Sequence, residues 1–65
     1  MMTYEEFMDT DLAYEFDDIH YVPEFGSVYG TVNNGFYYRS EYYGYGTRVA
    51  FYLDTGIIRT VWTDR

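Results

Sequence analysis

The spacing of apolar positions divides the chain near Pro23. Before it, Tyr4, Met8 and Leu12 recur at helical spacing and define a core-facing stripe, with Phe7 or Phe16 flanking it. Thr3 followed by Glu6 fits a capping box, and Glu5 and Glu6 would occupy the first turn, where the helix dipole favours acids. The spacing predicts a helix from about Thr3. On one continuous helix, Asp11 and Glu15 would fall between the apolar positions of the same face. A break at Asp9-Thr10-Asp11 is therefore expected, with Asp9 or Thr10 capping a second turn. From Leu12 to Asp17 the residues also alternate as a strand does, so residues 12–18 fit either element. Pro23 closes the segment in a loop.

After Pro23 the period changes to two. Ser27–Val32 and Phe36–Tyr43 flank Asn33-Asn34-Gly35, a hairpin signal. With those three residues as the loop, Val32 faces Phe36, Gly30 faces Tyr38 and Val28 faces Ser40. Gly44-Tyr45-Gly46 marks the next turn. Thr47–Asp54 and Ile57–Thr63 flank Thr55-Gly56, and a two-residue loop there pairs Leu53 with Ile58, Phe51 with Thr60 and Val49 with Trp62. That face is apolar, while Arg48, Tyr52 and Arg59 lie on the other. The expected fold is α+β: a four-stranded antiparallel meander over residues 27–63, covered by a helical segment within residues 1–24. A sheet with one apolar face needs a cover, and the N-terminal segment is the candidate for it. The 65 residues make one domain, with no internal repeat or linker.

Composition sharpens this picture. A domain of this size buries only about 60% of the surface its unfolded chain exposes. Ten tyrosines, five phenylalanines and one tryptophan supply large buried area from few residues. There is no cysteine, which excludes disulfides and thiolate metal sites, and the single histidine, His20, excludes a multi-histidine site. No apolar run reaches the roughly 18 residues of a membrane span. The first residues lack the positive charge and apolar stretch of a secretory signal, so a cytoplasmic location is expected.

Charge is placed unevenly. Residues 1–24 hold eight acids (Glu5, Glu6, Asp9, Asp11, Glu15, Asp17, Asp18 and Glu24) and no arginine, a net charge of −8. The remainder holds Glu41, Asp54 and Asp64 against Arg39, Arg48, Arg59 and Arg65, a net charge of +1. Such a surface repels nucleic acid and anionic membranes and attracts basic proteins. Direct nucleic-acid or membrane binding is not expected.

Several short patterns invite a catalytic or metal reading, and each has a plainer one. Asp54-Thr55-Gly56 matches the aspartic-protease triplet, which works as a carboxylate pair sharing one proton. Here it stands where a hairpin must turn, and Asp and Gly are ordinary turn residues. Asp9-x-Asp11 and Asp17-Asp18 offer carboxylate oxygens to magnesium or calcium, without the glycine and closing glutamate of a calcium loop. His20 follows two acids but has no nucleophile beside it in sequence. No cofactor is implied, and a non-enzymatic role is expected. Tyr37, Tyr38, Tyr42, Tyr43 and Tyr45 could stack on bases, but that needs a basic groove. They read as core on one face and amphipathic cover on the other, with exposed members such as Tyr42 and Tyr43 open to a protein interface.

The acids from Glu5 to Glu24, with the short chain, missing cysteine and abundant aromatics, resemble the small acidic inhibitors used by bacteriophages and mobile elements against host nucleic-acid machinery. These include anti-CRISPR proteins and DNA-mimic inhibitors. The resemblance lies in composition and layout. It implies inhibition of a basic nucleic-acid-binding protein, with a CRISPR effector subunit as one such target, inside an infected host cell. Glu5, Glu6, Asp9, Asp11, Glu15, Asp17, Asp18 and Glu24 would pair with arginine and lysine side chains that otherwise meet phosphate. The alternative is an interaction module that binds through its aromatic sheet surface, its acids serving solubility. Either could act as a monomer or a dimer.

Overall fold

A computed structural model describes residues 1–61 of the chain. Its helix α1 covers Tyr4–Met8. The capping box forms: the Glu6 amide donates to Thr3 Oγ1 at 3.0 Å, and the Thr3 amide donates to the Glu6 carboxylate at 2.9 Å. The predicted break also forms. Asp9 ends the helix, and Thr10 donates through both its amide (3.0 Å) and its hydroxyl (2.6 Å) to the Phe7 carbonyl. Thr10 thus satisfies a carbonyl that the shortened helix leaves without a partner. A five-residue helix is not stable alone. It is held by Phe7, which is fully buried.

The early stop changes which side chains enter the core. A Tyr4–Met8–Leu12 stripe requires a helix reaching Leu12. With the helix ending at Met8, Phe7 becomes the anchor, Met8 is exposed, and Tyr4 and Leu12 are only half-buried. Residues 11–15 form a 3-10 turn that buries Ala13.

The N-terminal third is not wholly helical, as Phe16–Val22 is strand β1. It pairs antiparallel with β2 (Ser27–Val32), from Phe16 opposite Val32 to Val22 opposite Ser27, with a bulge between Asp17 and His20. Asp18 takes a left-handed φ of 54° in that bulge. Pro23–Phe25 form a short 3-10 turn ending at Gly26, whose φ of 61° turns the chain into β2.

The Asn33-Asn34-Gly35 signal does not make the expected hairpin. The other side of β2 pairs with β5 (Arg48–Tyr52), with Gly30 opposite Val49 and Val28 opposite Phe51. Residues 36–43 are not one strand either. They fold into a separate hairpin of β3 (Phe36–Tyr38) and β4 (Glu41–Tyr43), with Phe36 opposite Tyr43 and Tyr38 opposite Glu41. Its turn is Arg39-Ser40, both with positive φ (51° and 66°), as a two-residue type I′ turn requires. Asn33 is drawn elsewhere. Its amide donates to the Glu15 carbonyl at 2.9 Å, and its Nδ2 donates to the Tyr14 carbonyl at 2.8 Å and to Asp17 Oδ1 at 3.2 Å. It ties the end of β2 to the N-terminal third.

Strand β6 (Ile58–Thr60) pairs with β5, completing the four-stranded order β1-β2-β5-β6. Phe51 faces Ile58 and Val49 faces Thr60, a register two residues away from the expected one. The physical reason is Leu53. Its amide donates to the Gly26 carbonyl (2.9 Å) and its carbonyl accepts from the Met2 amide (3.2 Å), which withdraws it from the ladder and lengthens the loop. A slip of two keeps every side chain on its expected face: Val49, Phe51, Leu53 and Ile58 are buried, and Arg48 and Arg59 are exposed. The expected partner of Val49, Trp62, lies outside the described residues.

The core therefore has two covers, not one. From α1, Phe7 meets Phe51 at 4.9 Å and Phe16 at 6.2 Å between ring centroids. From the β3–β4 hairpin, Phe36 meets Phe16 edge-on at 5.6 Å and Tyr38 meets Phe51 at 6.4 Å. Gly30 permits this arrangement, because a Cβ there would stand 2.9 Å from Phe16 Cβ.

Candidate protein-binding surface

The eight N-terminal acids run through α1, the 3-10 turn, β1 and the turn that follows it. Seven are exposed and Glu15 is half-buried. Two have structural duties: Glu6 closes the capping box, and Asp17 accepts from Asn33. Glu5 and Glu6 also stand at the favourable end of the helix dipole. Asp9 stands at the opposite end, where a cation would be favoured. Asp18 takes a left-handed φ of 54°, which aspartate adopts more readily than most residues, beside the like charge of Asp17. Asp9 is thus an acid at a place where local stability does not ask for one.

The described arginines lie on other elements. Arg48 and Arg59 are on β5 and β6, on the face away from the core, and Arg39 sits at the hairpin turn with its guanidinium carbon 5.5 Å from the centre of the Tyr38 ring.

The two tyrosines singled out in the sequence differ in placement. Tyr42 is 58% exposed and packs beside Tyr37, at 5.0 Å between ring centroids, on the outer face of the hairpin. Tyr43 is half-buried on the inner face, 5.6 Å from Phe36. Burial raises the Tyr43 phenol above its ordinary range, helped by the charge of Glu41 and by Tyr38. Tyr38 donates its hydroxyl to the Gly56 carbonyl at 2.6 Å, which fastens the hairpin to the β5–β6 loop.

Tyr37, 76% exposed, shares the outer face of the hairpin with Tyr42, and Tyr45, 82% exposed, lies in the turn after β4. The strand alternation that turns Phe36, Tyr38 and Tyr43 inward would have found Tyr37. A second aromatic surface had no signal in the pattern. Tyr4 stacks flat on Tyr21, with centroids 4.6 Å apart and planes 3° apart, and Phe25 beside them is 70% exposed.

The remaining motifs take local roles. Asp54-Thr55-Gly56 is the β5–β6 loop, with Thr55 Oγ1 accepting from the Ile57 amide at 3.3 Å and Gly56 at a φ of 73°. His20 is exposed on β1, opposite Tyr29. Among the described residues no group of three or more His, Asp and Glu side chains is placed to hold a metal ion, and no helix is long and apolar enough to cross a membrane. No protein-family model, curated protein or solved structure matches the chain.

Proposed function

We propose that the domain is an inhibitor that occupies the basic surface of a nucleic-acid-binding protein and competes there with nucleic acid, with a CRISPR effector subunit as one such target. The observation that carries this reading is the presentation of the N-terminal acids. They are exposed on successive segments with no arginine among them, and Asp9 occupies a position that helix electrostatics disfavour. Carboxylates held on a folded frame pair with guanidinium and ammonium groups at a smaller ordering cost than a flexible acidic tail. The charge also speeds encounter with a basic partner.

The test is capture of partners from a bacterial lysate at low and high salt, beside a variant with Glu5, Asp9, Asp11, Glu15, Asp18 and Glu24 changed to their amides. Glu6 and Asp17 are left intact, because their hydrogen bonds hold the fold. A nucleic-acid-binding protein should be recovered at low salt, lost at high salt and lost with the variant, since screening shortens from about 10 Å at 0.1 M to about 3 Å at 1 M. A partner kept under both changes would refute charge mimicry.

The exposed Tyr37 and Tyr42 favour a second reading, in which the outer face of the hairpin is the interface and the acids maintain solubility. Tyr42→Ser with Tyr37→Ser would then abolish capture, and the amide variant would not.

A further inference from the structure

The stacked pair of Tyr4 and Tyr21 forms one side of an apolar hollow of about 390 Å³, which Phe25, Met2 and Leu53 also line. The Met2 amide donates to the Leu53 carbonyl at 3.2 Å, which fixes the N-terminal strand of chain against the end of β5. Phe25 is 70% exposed, and a large ring so placed does nothing for the core. The hollow is edged by acid. Asp54 lines it, and it also lines a neighbouring hollow on the far side of Met2, where Glu6 joins it. Glu5 follows Tyr4 directly and Glu24 precedes Phe25, both exposed. No arginine among the described residues lines the Tyr4–Tyr21 hollow, while the Arg39 guanidinium lies against Gly56 in the lining of the second.

An apolar seat with carboxylates at its edge matches one kind of occupant. We propose that this hollow receives a large apolar side chain, aromatic or aliphatic, from a lysine- and arginine-rich segment of the partner protein, whose charges meet Glu5, Glu6, Glu24 and Asp54. The proposal rests on the reading of the acids as a partner-binding surface and adds where that partner is anchored. Charge alone steers and orients, whereas a buried apolar anchor sets how long the complex lasts. A hydrophobic seat also explains why Phe25 and Tyr21 stand exposed beside the acids, while Tyr4, stacked on Tyr21, packs against the core.

Two synthetic peptides test this by fluorescence anisotropy at low salt. Both carry the same number of lysines and arginines; one has a central tryptophan and the other a serine in its place. The tryptophan peptide should bind about tenfold more tightly or better, the return expected for burying one large apolar side chain. Phe25→Ser should erase that difference, and Tyr37→Ser, on the hairpin, should leave it. Because Phe25 is largely exposed, its replacement leaves the fold intact, which the far-ultraviolet spectrum checks. Equal binding of the two peptides overturns the anchor and leaves the acidic reading standing. A tryptophan advantage that survives Phe25→Ser but vanishes with Tyr37→Ser overturns it in favour of the hairpin. A tryptophan advantage that persists in the amide variant, with both peptides bound more weakly, supports the anchor and the acids together. Binding of neither peptide overturns both.

Discussion

Replacing Asn33 tests how the acidic third is attached to the sheet. Asn33→Ala removes two side-chain hydrogen bonds, one to the Tyr14 carbonyl at 2.8 Å and one to Asp17 Oδ1 at 3.2 Å, while the backbone bond to Glu15 remains. Hydrogen bonds of this kind contribute about 1 kcal/mol each, and both are solvent-exposed, so the expected loss is about 1–2 kcal/mol. A domain of this length has a total stability of roughly 3–10 kcal/mol, so the loss is a large share of it. With a urea slope of about 1 kcal/mol per molar for so small a protein, the unfolding midpoint should fall by roughly 1–2 M. Asn33→Asp goes further. It removes the same donors and sets a carboxylate beside Asp17 and the Tyr14 carbonyl. Its midpoint should lie below that of Asn33→Ala in low salt, and the gap should narrow in 1 M salt. Chemical denaturation followed by far-ultraviolet circular dichroism reads both quantities. Midpoints for Asn33→Ala equal to the parent, or an Asn33→Asp variant as stable as Asn33→Ala at low salt, would refute the view that this side chain staples the two parts together.

Three further outcomes follow from the packing and the caps. Gly30→Ala should cost about 1–3 kcal/mol in the same denaturation assay, because its methyl group would meet Phe16 Cβ at 2.9 Å and one of the two must move. Thr3→Ala removes the capping-box acceptor and should cost about 1 kcal/mol. Phe7→Ala, at a fully buried site, should cost about 3–5 kcal/mol and leave little folded protein at 37 °C by calorimetry. Finally, the Tyr43 phenol is raised in the folded protein, so its neutral form is favoured there. The stability tied to it is present below the ordinary tyrosine range near pH 10 and is lost as pH rises through the higher folded value. Tyr43→Phe should flatten the alkaline limb of a stability-versus-pH curve; an unchanged limb would place its cause elsewhere.

The parts of the fold legible in sequence are those fixed by neighbours along the chain. The Thr3–Glu6 capping box, the break at Asp9-Thr10-Asp11 and the inward face of β5 and β6 each depend on residues a few positions apart. What escaped depends on distant partners. Strand β1 was ambiguous from spacing because Leu12–Asp17 suits helix and strand alike, and its pairing with β2 decides the matter. Asn33-Asn34-Gly35 was read as the loop of a hairpin, but the side chain and amide of Asn33 are taken by residues 14–17, and β2 has β5 and not β3 as its second neighbour. The tight turn sits at Arg39-Ser40, a pair with neither glycine nor asparagine to mark it. The register error at β5–β6 has the same origin, since Leu53 is bound by Gly26 and Met2, far away in sequence. Of the candidate surface, the acids were visible as charge, and the Tyr4–Tyr21–Phe25 group was not, because its members come from three separate segments.

The acids on β1 serve the sheet as well as any partner. β1 is an outer strand of the order β1-β2-β5-β6, and an outer strand offers free backbone groups to any passing chain. Here the offer is blunted. The Asp17–His20 bulge interrupts the ladder, Asp18 is turned into left-handed geometry, and two adjacent carboxylates repel a second copy approaching along the same edge. A partner that meets this flank therefore engages side chains and not the strand backbone. That distinction separates charge recognition from strand addition. Straightening the bulge by deleting Asp18 would restore an uninterrupted edge, and the expected result is concentration-dependent self-association seen by light scattering. A deletion variant that stays monomeric over the same concentrations would show that the bulge does not guard the edge.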